Sequence, residues 1–427
     1  MSESSLNLPV IWKWGKRVGY SVLDQGLYSG SHFLLNLLLA RWLSPEEYGA
    51  FAISFSVYLF LSGFNYAFIL DPMAVFGPLV QISQQSIYVK RTFVLQLGLS
   101  VFLSLIVCLV GLATSKTVSS ALIGIGLSLP FLLSALFLRN SFYIQSETEK
   151  SALVSSVYFV TIIGAIIVTG IKGTITLVSA FWILAGGGLA AITVGGFYYI
   201  KKSNINIESI HYSEIISRNW GYGKWMGLTA LLNGFTTLSF PLLIGVALGL
   251  AETAAFRALQ NFINPMFQML AVSVTFFLPI LSKKIFEKAN ITQMITILFG
   301  ATLSVTMIYV VFINFLSKPL IHLILKQDFY LEYSWLIIWF SIYLILVALS
   351  TFFSVILRAM KQSKFIYISK MAGVVTFTVL LMVLIIHRSL SLVMLILIIV
   401  TAVECGRLAR FFLKTRSEMD KGHTVSE

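Results

Sequence analysis

Four apolar stretches of the sequence carry polar side chains on one helical face. These residues recur at intervals of mostly three and four, which places them on a single side of an α-helix. In the first stretch the face consists of Gln25, Ser29, His32 and Asn36. In the second stretch it consists of Ser54, Tyr58, Ser62 and Asn65. In the seventh stretch it consists of Thr229, Asn233, Thr236 and Thr237. Because polar groups are costly in an apolar helix, such faces predict either a water-filled cavity or hydrogen bonds between helices.

The eighth stretch has the most pronounced polar face. It consists of Arg257, Gln260, Asn261, Asn264 and Gln268. At the helical rise per residue this face extends about 16 Å, and Pro265 within it would release a backbone carbonyl and permit a kink. Five long polar side chains exceed what one neighbouring helix would satisfy, so this face predicts the lining of a cavity. For a single Ser or Thr, bonding between helices is the simpler interpretation.

Full charges are scarce inside the apolar stretches. Asp24 lies about five residues into the first stretch, and we predict that it is the ion-coupling site of the protein, for H⁺ or Na⁺. Glu404 lies in the last stretch, where we expect it to pair with Arg407. Arg139 and Arg358 end the fourth and tenth stretches, where long basic side chains commonly extend towards the membrane surface.

The stretches that carry these residues are long enough to cross a bilayer, which needs about 20 apolar residues. About twelve occur, at 19–43, 48–70, 92–113, 122–142, 152–171, 174–200, 225–250, 254–281, 291–316, 334–357, 365–386 and 390–413. The chain is 58% hydrophobic and only 11% charged. The runs are unbroken and lack the alternation of a membrane β-barrel. The sequence therefore predicts an all-α integral membrane protein.

The net charge of +13 has a topological explanation. With the N-terminus placed inside, only seven of the 30 Lys and Arg residues fall on the outer side: Arg41, Lys116, Lys172, Arg257, Lys318, Lys326 and Arg388. This asymmetry follows the positive-inside rule and predicts that both termini are cytoplasmic. It also accounts for the basic charge without nucleic acid as a partner.

The longest break between apolar stretches, residues 201–224, divides six helices from six. We therefore predict an N-terminal lobe at 1–200, a cytoplasmic linker at 201–224 and a C-terminal lobe at 225–427. Four residues recur at an offset of 205 positions: Leu43, Glu47, Ala50 and Phe51 match Leu248, Glu252, Ala255 and Phe256. Two halves with an even number of helices would form a parallel repeat. The polar faces lie on the first two helices of each half, which favours a central cavity.

The sequence lacks the patterns of a catalytic or metal centre. Cys108 and Cys405 lie inside predicted helices, where cysteines commonly act as small packing residues. The five histidines are scattered, no phosphate-binding loop occurs, and no loop has room for an extramembrane catalytic domain. We predict no catalytic residue, no metal and no cofactor.

The residues at 24–30, Asp-Gln-Gly-Leu-Tyr-Ser-Gly, and at 39–52, with Pro-Glu-Glu-Tyr-Gly after a helix ending in Ala-Arg-Trp, resemble a known family. They are similar to the opening of the polysaccharide biosynthesis and export family, which includes O-antigen flippases of the lipopolysaccharide pathway. That family belongs to the multidrug/oligosaccharidyl-lipid/polysaccharide superfamily. The layout of six plus six helices extends the resemblance over essentially the whole chain.

The resemblance implies two six-helix lobes around a cleft that opens to one side at a time. Its cargo would be an undecaprenyl-pyrophosphate-linked oligosaccharide, moved across a bacterial cytoplasmic membrane, with a polysaccharide polymerase and other assembly proteins as partners. The expected cavity residues are those of the polar faces, Gln25, Ser29, His32, Asn36, Asn65, Asn233, Arg257, Gln260, Asn261, Asn264 and Gln268. Arg139 and Arg358 would serve the pyrophosphate at the inner mouth.

Two other functions stay open. The sister family exports drugs and would show an aromatic and acidic cavity with small cationic cargo. An integral-membrane polysaccharide polymerase or acyltransferase is the alternative of another class, and it would need clustered intramembrane His and acidic residues or a long outer loop.

Overall fold

The computed structural model describes residues 8–77, 82–145, 147–201, 212–235, 239–270, 281, 292–360 and 362–420. These residues form helices and short connections, and no strand occurs among them. They belong to two compact units, Met1–Gly234 and Phe235–Glu427. The predicted lobe boundaries at residues 200 and 225 remain a prediction.

The described residues of the first unit form eight α-helices. They are α1 (Leu8–Trp42), α2 (Pro45–Asn65), α3 (Asp71–Phe76), α4 (Ile82–Leu112), α5 (Lys116–Ile144), α6 (Thr148–Ile171), α7 (Leu177–Lys201) and α8 (Tyr212–Asn233). Between α2 and α3 lies a π-helical turn, Tyr66–Leu70. The start of α2 is fixed by a capping box, in which the Ser44 hydroxyl accepts from the backbone N–H of Glu47 and the Glu47 carboxylate accepts from that of Ser44.

The second unit consists of further helices. They are α9 (Ser239–Ala247), α10 (Leu250–Gln260), α11 (264–270), α12 (Thr292–Leu325), α13 (Phe329–Glu332), α14 (Leu336–Ala359), α15 (Ser363–Ile386) and α16 (Leu390–Asp420). Helix α14 packs against α12 and α16, and α15 packs against α16. An apolar cluster that includes Ile356, Phe352 and Phe412 forms part of the core of this unit.

The all-α membrane architecture is confirmed. Within the described ranges, nine helices are long and apolar enough to cross a bilayer. The first, seventh and eighth predicted spans are outside that set, and these three carry polar faces. The first span is nonetheless a continuous helix, α1, whereas the seventh and eighth extend into residues 236–238 and 271–280, which lie outside the described residues.

Helix α5 packs against α2, α4, α6 and α7 in the first unit. Pro130 within it has no N–H, so the carbonyl of Gly126 loses its helical partner. The Ser104 hydroxyl of α4 donates to that carbonyl at 2.7 Å. The helix therefore stays continuous across a proline, because a neighbouring side chain replaces the missing bond.

A similar replacement holds α8 against the π-helical turn. Pro72 cannot donate to the carbonyl of Phe68, and the side-chain amide of Asn219 donates to it instead, at 2.9 Å. Gly223 and Gly227 face Phe68, where a Cβ atom on either glycine would lie closer than ordinary packing allows. Helix α8 is thus part of the first unit, although the sequence favours its second half as the start of the second lobe.

Candidate functional site

The interior of the first unit holds a fully buried carboxylate, Asp24 of α1. The Nε of Arg139 on α5 donates to both of its oxygens, at 2.8 and 3.0 Å. The hydroxyl of Tyr143 donates to Oδ2, and the hydroxyl of Ser155 on α6 donates to Oδ1. Asp24 is 0% exposed and Arg139 is 5% exposed. Four hydrogen bonds and an opposite charge therefore compensate the buried carboxylate.

Three helices position this pair. Helix α1 packs along α6, and α5 supplies Arg139 and Tyr143 from adjacent turns, four residues apart. The Ser151 hydroxyl of α6 donates to the backbone carbonyl of Arg139 at 3.0 Å, which fixes α5 against α6 at this level. The Nη2 atom of Arg139 also donates to the side-chain oxygen of Gln25.

The expectation that Arg139 extends to the membrane surface is wrong. Its side chain lies inside the unit, because Asp24 supplies the counter-charge that makes burial of a guanidinium tolerable. The contact of Arg139 with cargo remains a prediction. In this conformation the Nε atom of Arg139 donates hydrogen bonds to Asp24.

A cluster of aromatic rings adjoins the pair. The Arg139 guanidinium lies 4.4 Å from the ring centroid of Tyr28, within cation–π distance. The Tyr28 hydroxyl lies 3.1 Å from that of Tyr58 on α2, and the Nε2 atom of His32 lies 2.9 Å from the Tyr158 hydroxyl on α6. Tyr28 also stacks on Tyr158. One predicted residue, His32, thus meets tyrosines from two other helices, whereas Gln25 contacts Arg139.

The other predicted residues of the first unit have varied settings. The Gln25 amide donates to Ser29 Oγ at 3.0 Å, and the Asn36 amide donates to the His32 carbonyl at 2.8 Å. Asn65 is fully buried, and its side-chain atoms have no hydrogen-bond partner in the described part of the chain. The side chain of Asn233 lies outside the described residues.

Sequence reasoning missed Tyr143, Ser155 and Tyr158. A periodicity signal was present for two of them, because Ser151, Ser155 and Tyr158 follow one another at helical spacing on α6. Tyr143 lies one turn beyond Arg139. Its phenol resembles many other aromatic residues in these helices, so only the fold identifies it.

The polar face predicted for the eighth stretch is divided between two helices. Helix α10 ends at Gln260, a turn follows at 261–263, and α11 begins at 264. The expected continuous helix is interrupted because Pro265 cannot donate to the Asn261 carbonyl and restricts the residue before it. Arg257 Nη1 donates to Gln260 Oε1 at 2.8 Å, and Asn264 Nδ2 donates to Asn261 Oδ1 at 3.1 Å. Gln268 is exposed.

The second buried carboxylate, Glu404 of α16, pairs with Lys370 of α15 at 2.7 Å. The expected pair with Arg407 is therefore wrong, because the Arg407 guanidinium lies over the ring of Phe411 instead. Glu404 and Lys370 line a cavity of about 440 Å³ that also receives Arg358 of α14. In the part of the chain that the structure describes, no cluster of three or more His, Cys, Asp or Glu side chains could hold a metal ion.

The chain belongs to the polysaccharide biosynthesis protein family, whose model matches residues 38–334. No curated protein sequence matches it. Its fold is similar to that of an inward-facing multidrug resistance MATE family transporter of the MOP superfamily, with a TM-score of 0.71, 12% identity, and coverage of 95% of this chain and 98% of that one.

Two further solved structures share the fold. The lipid II flippase MurJ in an inward closed conformation has a TM-score of 0.71 and 16% identity, over 93% of this chain and 89% of that chain. A MOP superfamily transporter from Pyrococcus furiosus has a TM-score of 0.61 and 12% identity, over 94% of both chains. At these identities the likeness concerns the fold alone.

Proposed function

We propose that this protein flips a lipid-linked oligosaccharide, carried on undecaprenyl pyrophosphate, from the inner to the outer leaflet of a bacterial cytoplasmic membrane. The observation that carries the proposal is the match to the polysaccharide biosynthesis family over residues 38–334. The fold shared with a lipid II flippase supports it. The flipped glycan would enter O-antigen, capsule or exopolysaccharide synthesis, with a polymerase and other assembly proteins acting next.

The side chains around the buried pair suit a sugar better than an organic cation. Tyr28, Tyr58, Tyr158 and His32 combine apolar ring faces with hydrogen-bonding atoms, a combination that both packs against and hydrogen-bonds a polyhydroxylated ligand. The acidic group nearby, Asp24, is neutralised by Arg139. A carboxylate in that state offers little attraction to the small cationic cargo of a multidrug exporter.

Asp24 is the proposed ion-coupling residue, and its surroundings favour H⁺ over Na⁺. Each of its oxygens receives hydrogen-bond donors, from Arg139, Tyr143 and Ser155. A hard metal cation needs several oxygen lone pairs directed at it, whereas here donor hydrogens and a guanidinium charge occupy that position. A proton needs only one oxygen, and its arrival would release Arg139 from its counter-charge.

Other groups near Asp24 agree with this choice. Gln25 and Tyr28 of α1 contact Arg139, and Tyr66 of the π-helical turn interacts electrostatically with both Arg139 and Asp24. Asp71 interacts with Tyr66. None of these groups adds a second carboxylate to Asp24 itself. The pair is therefore neutral when Asp24 is ionised and carries one positive charge when it is protonated.

An ion gradient would replace ATP as the energy source, because the chain contains no phosphate-binding loop. The membrane potential contributes about 2.3 kcal/mol per charge per 100 mV. A site whose charge changes with protonation can use both the pH difference and the potential.

Reconstitution tests the proposal directly. Purified protein in proteoliposomes should bring a fluorescent undecaprenyl-pyrophosphate-linked oligosaccharide within reach of a lectin added outside, while empty liposomes should not. Efflux of a cationic dye without glycan flipping would favour the multidrug function. Chain extension of the glycan would favour an enzyme. Either result would overturn the proposal.

A further inference from the structure

We propose that the cavity in the second unit binds a phosphate-type anion, and that Glu404 competes with this anion for Lys370. The natural ligand is named on the basis of the proposed function, as the phosphate groups of a lipid-linked sugar. The binding chemistry itself rests on the side chains of the cavity, which lies wholly within the second unit.

One face of α14 supplies a row of hydroxyls that ends in a cation. Ser350, Thr351, Ser354 and Arg358 follow at helical spacing, and all four line the cavity. The hydroxyls of Thr351 and Ser354 form no hydrogen bond within the described part of the chain. They can therefore donate to a bound oxygen. Arg358 is exposed, and no described carboxylate lies within ion-pair distance of it.

The opposite wall of the cavity carries the Lys370–Glu404 pair. The Lys370 side chain is 40% exposed, whereas the Glu404 side chain is 8% exposed. The Lys370 ammonium therefore reaches the open space while keeping its counter-ion behind it. Gly373 of α15 makes room for the Glu404 carboxylate, because a Cβ atom at this position would overlap it.

The charges of the cavity leave a net positive balance. Arg358 and Lys370 contribute two positive charges and Glu404 one negative charge, so an anion is the ligand that neutralises the site. Phosphate oxygens suit both cations, since Arg binds them through its planar fork and Lys as a point charge. A bound phosphate near Lys370 takes the place of Glu404 as its counter-ion.

The volume fits this class of ligand. At about 30 Å³ per water molecule, a cavity of about 440 Å³ holds a pyrophosphate group together with several waters. Phe267, Leu270 and Val347 belong to the apolar part of the lining. A headgroup that joins phosphate to a hydrocarbon chain would satisfy both surfaces, and a soluble phosphate would satisfy the polar one.

Opposite effects of two charge-neutralising variants test the competition. Binding of sodium pyrophosphate to purified protein in detergent is measured at constant ionic strength, with sodium sulfate and sodium chloride as comparison salts. Lys370→Gln should weaken binding about 10-fold or more, as expected for loss of a charge-assisted contact. Glu404→Gln should strengthen it by about 10-fold, because the competing carboxylate is gone. Arg388→Gln, which removes an exposed arginine of the same unit, is the matched control and should have no effect.

The source of the phosphate is resolved by a second probe. Nanodiscs that contain phosphatidic acid are compared with nanodiscs of phosphatidylcholine alone. Binding that requires the lipid-borne phosphate identifies a headgroup site, and binding of pyrophosphate in detergent identifies a site open to soluble anions. Absence of both, or weaker binding after Glu404→Gln in a protein that remains folded, would overturn the proposal. Since no gradient or flipping is needed, these results are independent of the flipping assay.

A double variant is the control for misfolding of the single variants. Lys370→Met with Glu404→Gln removes both charges together and leaves no unpaired ion in the interior. Its binding should be weaker than that of Glu404→Gln by about 10-fold or more, because only the Lys370 ammonium distinguishes the two variants. Binding as strong as in Glu404→Gln would contradict the role of Lys370.

Discussion

Arg139 of α5 and Asp24 of α1 form a buried ion pair in the first unit, with Nε 2.8 Å from Oδ1. More than one hundred residues of sequence separate them. Among the described residues, neither side chain forms an ion pair with any other charged group. The pair links α1 to α5 only while both charges are present. A change of charge at Asp24 therefore removes an electrostatic link between two helices of the unit.

Removal of one partner should destabilise the protein more than removal of both. We expect Arg139→Gln to lower the free energy of unfolding by about 3–5 kcal/mol, because Asp24 would be left as an unpaired buried charge. Asp24→Asn combined with Arg139→Gln should restore much of the loss. Thermal unfolding of the purified protein in detergent measures this, with Arg388→Gln as the exposed control. Additive effects of the two changes would contradict the pairing.

The fold class and the approximate positions of most long helices could be predicted from the sequence, because both follow from the length of the apolar runs. Asp24 was identified for the same reason, as a full charge within such a run. Its partner was not, because a basic residue at the end of an apolar run is compatible with either a surface position or burial. Arg139 takes the buried position only because α1 brings Asp24 to it.

Partners that are distant in sequence are in general what the sequence did not predict. Glu404 has Arg407 three residues away on its own helix, which made that pair the natural prediction, yet Lys370 of another helix is its partner. The row of hydroxyls at Ser350, Thr351 and Ser354, which ends at Arg358, is visible in the sequence as a periodicity but is shorter than the other polar faces. The break at 261–263 could have been anticipated from Pro265, since the proline was already identified as a potential kink.

The polar residues within that break and in the helix after it should line the cargo path. Replacing Asn261, Asn264 and Gln268 together by leucine makes the face apolar and introduces no residue that disfavours a helix. We expect loss of glycan export with normal insertion into the membrane. Surface polysaccharide is measured in cells at low expression, alongside the amount of protein in the membrane. Unchanged export would assign these residues to packing or to lipid contact.

Membrane topology gives an independent prediction. The distribution of Lys and Arg predicts that both termini and the connection between α7 and α8 are cytoplasmic. A reporter active only in the cytoplasm should therefore function when fused after Lys201 or after Asp420. The same reporter fused after Lys172, in a predicted outer connection, is the control and should be inactive. Activity in the opposite pattern would reverse the orientation.

The most direct test of the account is the initial rate of glycan flipping in proteoliposomes under an imposed ion gradient. In the unchanged protein, a pH difference should accelerate flipping, and a sodium difference at equal pH should not, because the donor hydrogens and the Arg139 charge around Asp24 leave no set of oxygen lone pairs for a sodium ion. Asp24→Asn should still bind the lipid-linked oligosaccharide but lose the acceleration. Acceleration by sodium alone, or a normal response to the pH difference after Asp24→Asn, would contradict the account.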